Sequence, residues 1–145
     1  MWVPERGEVI YIQMNPKAGA KEIGDEHPFL VSSASAFNAR VGIVIGFPMT
    51  HSKMNEDNLF ALKIEISKNE SPYVLTFQPK SFDWRARGAR KHPLGKGHLT
   101  ILQAAHRNLD AICEICSYIG YSSQFLRLAP KHHRTWLRPL LTGWR

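Results

Sequence analysis

Two blocks of basic side chains carry most of the positive charge of this 145-residue chain, whose formal net charge is +7. Residues 80–98 hold six lysines and arginines against the single acid Asp83, and residues 121–145 hold five with no acid. Each block therefore contributes +5, and the rest of the chain sums to −3. Such clusters favour a polyanionic partner such as a nucleic acid, although solubility or a disordered tail would explain the charge equally well.

Cysteine and histidine pairs are the second group of side chains that could do chemistry. Cys113 and Cys116 form one CxxC, but without a second Cys or His pair this spacing is a weak zinc signal. Two small apolar residues one turn apart on a helix explain the pair better. His132 and His133 have no acidic or Cys ligands nearby, so we expect no metal site in this chain.

Short β-branched and aromatic segments must form the scaffold for these residues. Such segments, bounded by Gly, Pro and Asn, are typical of β-strands. The third of them is apolar almost throughout, as expected of a buried central strand. The predicted strands are residues 7–13, 29–33, 41–47, 59–66, 73–78 and 80–84, and residues 48–58 are predicted as a polar loop.

The hydrophobic period changes after residue 98. Apolar residues then recur every three or four positions, which predicts one helix from about residue 99 to residue 119, with a capping box at 100–103 and a stop at Gly120. Several short strands followed by one amphipathic helix favour a small barrel with the helix packed on one end. The length suits one domain, and the sequence has neither a bilayer-spanning apolar run nor a signal peptide, so we expect a cytoplasmic protein.

Six short motifs, in order along the chain, resemble those of the MazF/PemK toxin family. They are residues 4–9 (PERGEV) for the family's RG(D/E) strand, 15–19 (NPKAG) for DPxxG, 28–32 (PFLVS) for RPxLVLS, 35–38 (SAFN) for xAFN, 47–50 (FPMT) for xPxT, and 78–88 (QPKSFDWRARG) for QxKSIxWRARG. The resemblance runs from about residue 4 to residue 119 with compatible spacing.

This resemblance implies a mainly β fold with a C-terminal helix, the small SH3-like β-barrel of CcdB/MazF/PemK toxins, in residues 1–120. Residues 121–145 would be a basic extension that could be disordered. It also implies a homodimeric toxin of a type II toxin–antitoxin system that needs no cofactor or metal. Such a toxin cuts single-stranded mRNA at specific sequences, leaving 2′,3′-cyclic phosphate and 5′-hydroxyl ends. Its partners would be RNA and an acidic antitoxin that lies in the RNA groove, with no membrane partner.

The resemblance also assigns the catalytic positions. Thr50 matches the family threonine of xPxT, whose hydroxyl can donate to a phosphate oxygen. His27 stands where the family has an arginine before the proline. It loses the bidentate phosphate clamp of an arginine, but an imidazole can carry a proton near neutral pH. His51, directly after Thr50, is a further candidate proton carrier.

The remaining candidates line the expected RNA groove. In the loop at 19–24 the register is open: either Lys21 or Glu22 occupies the place where the family commonly has a glutamate. Lys21 would then contact phosphate, and Glu22 would act as a base or bind a base edge. Trp84 is expected in the core. The other RNA-binding candidates are Ser52, Lys53, Gln78, Lys80, Arg85 and Arg87. Arg85 and Arg87 are predicted on one face of a strand, where they would bind RNA or hold the structure through carbonyls and carboxylates.

At two positions this chain has apolar side chains where some family members have ionisable ones. Some family members carry Arg and Asp in the strand before QP, where this chain has Leu75 and Phe77, and neither side chain can transfer a proton. A degenerate toxin that only binds RNA or antitoxin is therefore one alternative to an active ribonuclease. A gyrase-type poison on the same fold is another, although the WRARG sequence favours RNA.

Overall fold

The chain forms a mainly antiparallel β-structure with two α-helices in the part that the computed structural model describes, residues 2–64, 71–96 and 98–114. The elements in chain order are β1 (Val9–Gln13), β2 (Glu26–Val31), α1 (Ser35–Val41), β3 (Ile43–Thr50), a short 3₁₀ helix (Lys53–Asn55), β4 (Ala61–Lys63), β5 (Tyr73–Leu75), β6 (Lys80–Asp83), β7 (Arg90–Lys91) and α2 (Leu99–Cys113).

Strand β3 is the centre of the sheet. The strands lie in the order β4-β5-β3-β2-β1-β7, and β6 pairs with β3 off this path. The eight residues of β3 pair with β2 along one side, and with β6 and then β5 along the other. Its apolar sequence suits this position, because a strand with neighbours on both sides exposes little of its length to water.

Two apolar clusters lie on opposite faces of the sheet, because successive side chains of a strand point to opposite sides. In β1, Val9 belongs to one cluster, whereas Ile10 and Ile12 belong to the other. Helix α2 covers the first cluster with Leu102 and Ala105. The second cluster includes the aromatic side chains of Phe29, Phe82 and Trp84. Ile23, in the loop that precedes β2, packs against this cluster.

Trp84 belongs to the core, as predicted. Its side chain is 5% exposed, and its Nε1 donates a hydrogen bond to the Asn38 carbonyl over 3.0 Å. Asn38 is fully buried and donates from Nδ2 to the carbonyl of Pro4 over 2.8 Å. The two side chains therefore connect α1, the N-terminal segment and the end of β6.

Some predicted boundaries were wrong. Helix α1 was missed, because it has seven residues and buries only Asn38, so it shows no apolar period. Strand β3 continues to Thr50, into the predicted loop, and β5 ends at Leu75. Helix α2 ends at Cys113, where Glu114 is in the left-handed region, and His98 precedes its first turn without a side-chain cap. The predicted helical residues 115–119, Gly120 and the extension 121–145 lie outside the described residues.

None of the helices within the described ranges has the length and apolar character that a membrane crossing requires.

Candidate active site and nucleic-acid interface

The antiparallel register of β2 and β3 brings two candidate catalytic residues to the same end of the sheet. Leu30 pairs with Phe47, and Phe29 pairs with Pro48. The β2–β3 pairing ends at Phe29 and Pro48, and His27 and Thr50 each lie two residues beyond this last pair, His27 before it in β2 and Thr50 after it in β3. Because side chains alternate along a strand, His27 lies on the same side of β2 as Phe29, and Thr50 on the same side of β3 as Pro48, the partner of Phe29. His27 and Thr50 are both half-buried.

A tight turn follows Thr50. The backbone N–H of Ser52 donates to Thr50 Oγ1 over 3.2 Å, and Ser52 then precedes the 3₁₀ helix. A threonine hydroxyl that accepts one bond still has its own proton to donate, for example to a phosphate oxygen. His51, Ser52 and Lys53 are exposed around it, so their polar groups surround this end of β3.

The loop that precedes β2 is attached to the segment that precedes β6. Gln78 donates from Nε2 to the Lys21 carbonyl over 2.8 Å, and its Oε1 accepts from the backbone N–H of Ile23 over 3.5 Å. Strands β2 and β6 pair with β3 along its two different sides, so the loop reaches past β3 to contact Gln78 and Lys80. The structure therefore brings together Lys21, Glu22, Gln78 and Lys80, four of the predicted site residues.

Glu22 and Lys80 form an ion pair within this group. Lys80 Nζ lies 3.3 Å from Glu22 Oε2, and the lysine side chain is only 17% exposed. The same carboxylate oxygen accepts a hydrogen bond from the backbone N–H of Ala18. The Ala18 N–H, and then the Lys80 ammonium, lower the pKa of Glu22 below its ordinary value. Glu22 is therefore ionised at neutral pH, and these contacts stabilise the carboxylate against protonation.

We expect Lys80→Met to raise the pKa of Glu22 toward the ordinary value, because the substitution removes the ammonium and leaves the Ala18 N–H. A carboxyl ¹³C NMR titration of Glu22 measures this directly. Lys63→Met, which removes an exposed lysine of β4, is the matched control and should leave the midpoint in place. An unchanged midpoint in Lys80→Met would show that the ion pair does not form in solution.

Arg85 and Arg87 do not share a strand face, which corrects the prediction. Strand β6 ends at Asp83, and both arginines lie in the turn that follows. The guanidinium of Arg85 lies 4.2 Å from the ring centroid of Trp84, and that of Arg87 lies 4.7 Å from the ring centroid of Phe82. Arg87 also donates to the carbonyls of Gln13 and Asn15. These contacts hold the turn that follows β6 against the body of the protein.

The sequence interpretation missed an ion pair beside His27. Glu26 accepts two hydrogen bonds from Arg90, at 3.1 and 2.7 Å, and this contact lowers the pKa of Glu26. The Arg90 guanidinium also lies 4.1 Å from the ring centroid of Tyr11. No spacing in the sequence signals the pair, because its members are 64 positions apart and meet only through the pairing of β1 with β2 and β7.

The two apolar positions in the expected groove differ in exposure. Leu75 is 3% exposed within β5, whereas Phe77 is 38% exposed in the turn before Gln78. Neither can carry a proton, so any proton transfer must use other groups such as His27, Glu22 or His51. Within the described ranges, no cluster of three or more His, Cys, Asp or Glu residues could hold a metal ion.

Comparison with known proteins points to one family. The family described as "PemK-like, MazF-like toxin of type II toxin-antitoxin system" matches residues 5–113. The chain is 31% identical over 91 residues to the endoribonuclease toxin MazF of Escherichia coli K12, covering 62% of this chain and 78% of the relative.

Solved structures agree. The fold is similar to that of MazF from Deinococcus radiodurans, with a TM-score of 0.69, 26% identity, and coverage of 79% of this chain and 99% of that one. A MazE–MazF structure from the same organism matches with a TM-score of 0.65 and 25% identity, over 79% of this chain and 98% of that one. The predicted mainly β fold with a C-terminal helix is confirmed.

Proposed function

Because this chain belongs to the PemK-like, MazF-like toxin family of type II toxin–antitoxin systems, we propose that it is an endoribonuclease that cuts single-stranded RNA without a metal ion. The observation that carries the proposal is the antiparallel pairing of β2 and β3, because His27 lies near the start of β2 and Thr50 at the end of β3. The loop with the ionised Glu22 leads directly into β2.

Cleavage of RNA to a 2′,3′-cyclic phosphate requires three contributions. A base takes the proton of the 2′-hydroxyl, the 2′-oxygen attacks the phosphorus, and the 5′-oxygen leaves with a proton from an acid. The third contribution is stabilisation of the negative charge that develops on the non-bridging phosphate oxygens in the transition state. In our proposal Thr50 donates to a non-bridging oxygen. Glu22 is the candidate base in this proposal, because it carries a carboxylate in the loop that leads into β2.

The histidines supply the remaining proton transfer in this proposal. An imidazole donates a proton when charged and accepts one when neutral, so His27 serves as the acid for the 5′-oxygen and His51 is the second candidate for that role. A histidine at position 27 thus replaces the fixed charge of the family arginine by a proton carrier. This compensates for the apolar Leu75 and Phe77, which have no proton to transfer.

Incubation of the purified protein with a long single-stranded RNA in excess EDTA tests the proposal. We expect discrete cuts whose 3′ fragments begin with a 5′-hydroxyl, so that they ligate to an adaptor only after phosphorylation by a kinase. The Thr50→Val protein, prepared in parallel, controls for contaminating ribonucleases. RNA that stays intact, or cuts that persist equally in the Thr50→Val preparation, would contradict an endoribonuclease built on this site.

A binding-only toxin is the second candidate, and the apolar Leu75 and Phe77 favour it. Such a protein would retard single-stranded RNA in a gel without cutting it. Its affinity would fall steeply with salt, because lysine and arginine contacts to phosphate release counterions. Intact but retarded RNA in EDTA would therefore select this function over cleavage.

We also propose a homodimer and an acidic antitoxin as the partners of this toxin. The solved MazE–MazF structure of the relative supports a protein partner, and the net charge of +7 suits an acidic one. Exposed apolar side chains on α1 and β3, namely Phe37, Val41 and Ile45, support association between copies. A cytoplasmic location follows from mRNA as the substrate. Light scattering of the purified protein tests the dimer.

A further inference from the structure

The carboxamide of Gln78 bonds to two backbone groups of one loop. Its Nε2 donates to the carbonyl of Lys21 and its Oε1 accepts from the N–H of Ile23, so the side chain spans the peptide units on either side of Glu22. Gln78 belongs to a different part of the chain, 55 positions from Ile23. Its own backbone is fixed by the N–H of Gln78, which donates to the carbonyl of Leu75 over 3.1 Å.

Further contacts hold the same loop at other points. Glu22 lies between Lys21 and Ile23, the two residues whose backbone groups bond to Gln78, and it forms an ion pair with the largely buried Lys80. Ile23 packs on the apolar cluster of Phe29 and Phe82. At the end of the loop, Asn15 and Asp25 exchange two hydrogen bonds, at 2.7 and 3.1 Å.

We propose that Gln78 is a positioning residue of the ribonuclease site: its carboxamide, with the Lys80–Glu22 ion pair beside it, fixes the 18–24 loop before RNA binds. The inference rests on the proposed function and revises the expectation that Gln78 and Lys80 are RNA contacts. In the free protein the polar atoms of both side chains bond to the loop. A loop that is already held in one conformation presents Lys21 and Glu22 in a fixed geometry. Less conformational entropy of the loop is then lost when RNA binds and reacts.

A carboxamide is suited to this task because it donates and accepts at once. Methionine at position 78 would keep the length of the side chain and lose both bonds. Glutamate would keep the acceptor for the Ile23 N–H and lose the donor for the Lys21 carbonyl. The pair of variants therefore separates the two halves of the contact.

The experiment compares the wild type with Gln78→Met and Gln78→Glu by amide hydrogen exchange and by cleavage kinetics on an RNA with a single cut site. In Gln78→Met we expect the Ile23 amide to exchange about fivefold or more faster, while the Phe29 and Phe47 amides are unchanged. We expect kcat to fall about tenfold with KM within about twofold of the wild-type value. Gln78→Glu should protect the Ile23 amide as the wild type does, with an intermediate kcat.

Gln103→Met, at an exposed position of α2, is the matched control and should leave loop exchange and kinetics unchanged. A raised KM with unchanged kcat and unchanged loop exchange in Gln78→Met would overturn the proposal, because Gln78 would then contact RNA directly. Unchanged exchange with unchanged kinetics would overturn it too. If the wild type cuts no RNA, the proposed function fails, but faster exchange of the Ile23 amide in Gln78→Met still supports the loop contact.

Discussion

Thr50→Val is expected to lower kcat for RNA cleavage by about 100-fold, the effect typical of removing one preorganised donor to a developing oxyanion. The substitution keeps the shape and β-branching of threonine, so strand β3 should form as before. It removes the hydroxyl that accepts from the Ser52 N–H and that we propose donates to the phosphate. Initial rates on an RNA with a single cut site, at saturating and limiting concentrations, give kcat and KM separately.

Two threonine variants control this result. Thr50→Ser restores a hydroxyl at the same place and should recover most of the activity. Thr100→Val removes a hydroxyl from an exposed position of α2 and should have no effect. Equal thermal unfolding of all variants would exclude a folding defect. Full activity in Thr50→Val would remove Thr50 from the site.

His27 completes the same series of variants. His27→Ala should lower kcat by at least about 100-fold if His27 carries a proton, as is typical of general acid or base groups. His27→Arg restores the side chain of the family at this position. It supplies a fixed positive charge that never deprotonates, so one limb of the pH–rate profile should disappear. A pH profile identical in wild type and His27→Arg would mean that His27 transfers no proton.

Gly46→Ala is expected to reduce the free energy of unfolding by at least about 3 kcal/mol, at the upper end for overpacked sites. A Cβ at position 46 would lie 2.1 Å from the carbonyl oxygen of Leu30 and 2.8 Å from Cε1 of Phe29. The oxygen belongs to the backbone of the paired strand β2, so it cannot move without separating β2 from β3. Gly46 lies in the middle of the sheet, paired with Val31 on one side and Lys80 on the other, so there is no room for a methyl group at this position.

Urea unfolding followed by circular dichroism measures this effect. Gly19→Ala adds the same methyl group where nothing lies within 4 Å. Its cost is limited to the backbone strain of a positive φ, about 1 kcal/mol. RNA cleavage should fall together with stability in Gly46→Ala, because β2 and β3, the strands that carry His27 and Thr50, pair at this contact. A loss below about 1 kcal/mol would mean that the two strands pair less closely than described.

The sequence by itself determined the class of the fold, the family and most of the chemically relevant residue types. The strands around residues 9–13 and 43–47 and the helix beginning at Leu99 were predictable, because apolar periodicity is a local property of the chain. The six motifs identified the family for the same reason, since each is a short continuous segment. Helix α1 was not predictable, because it buries a polar Asn38 and lacks an apolar face.

Only the tertiary structure decided what the candidate residues contact. The Gln78–loop bonds, the Lys80–Glu22 pair and the Glu26–Arg90 pair each join residues more than 50 positions apart. Such contacts depend on strand order and register, which sequence periodicity does not specify. The tertiary structure also decided the contacts of Arg85 and Arg87, because the chain turns after β6 and their guanidinium groups lie over the rings of Trp84 and Phe82. Local sequence fixes which side chains are present, and strand pairing fixes their neighbours.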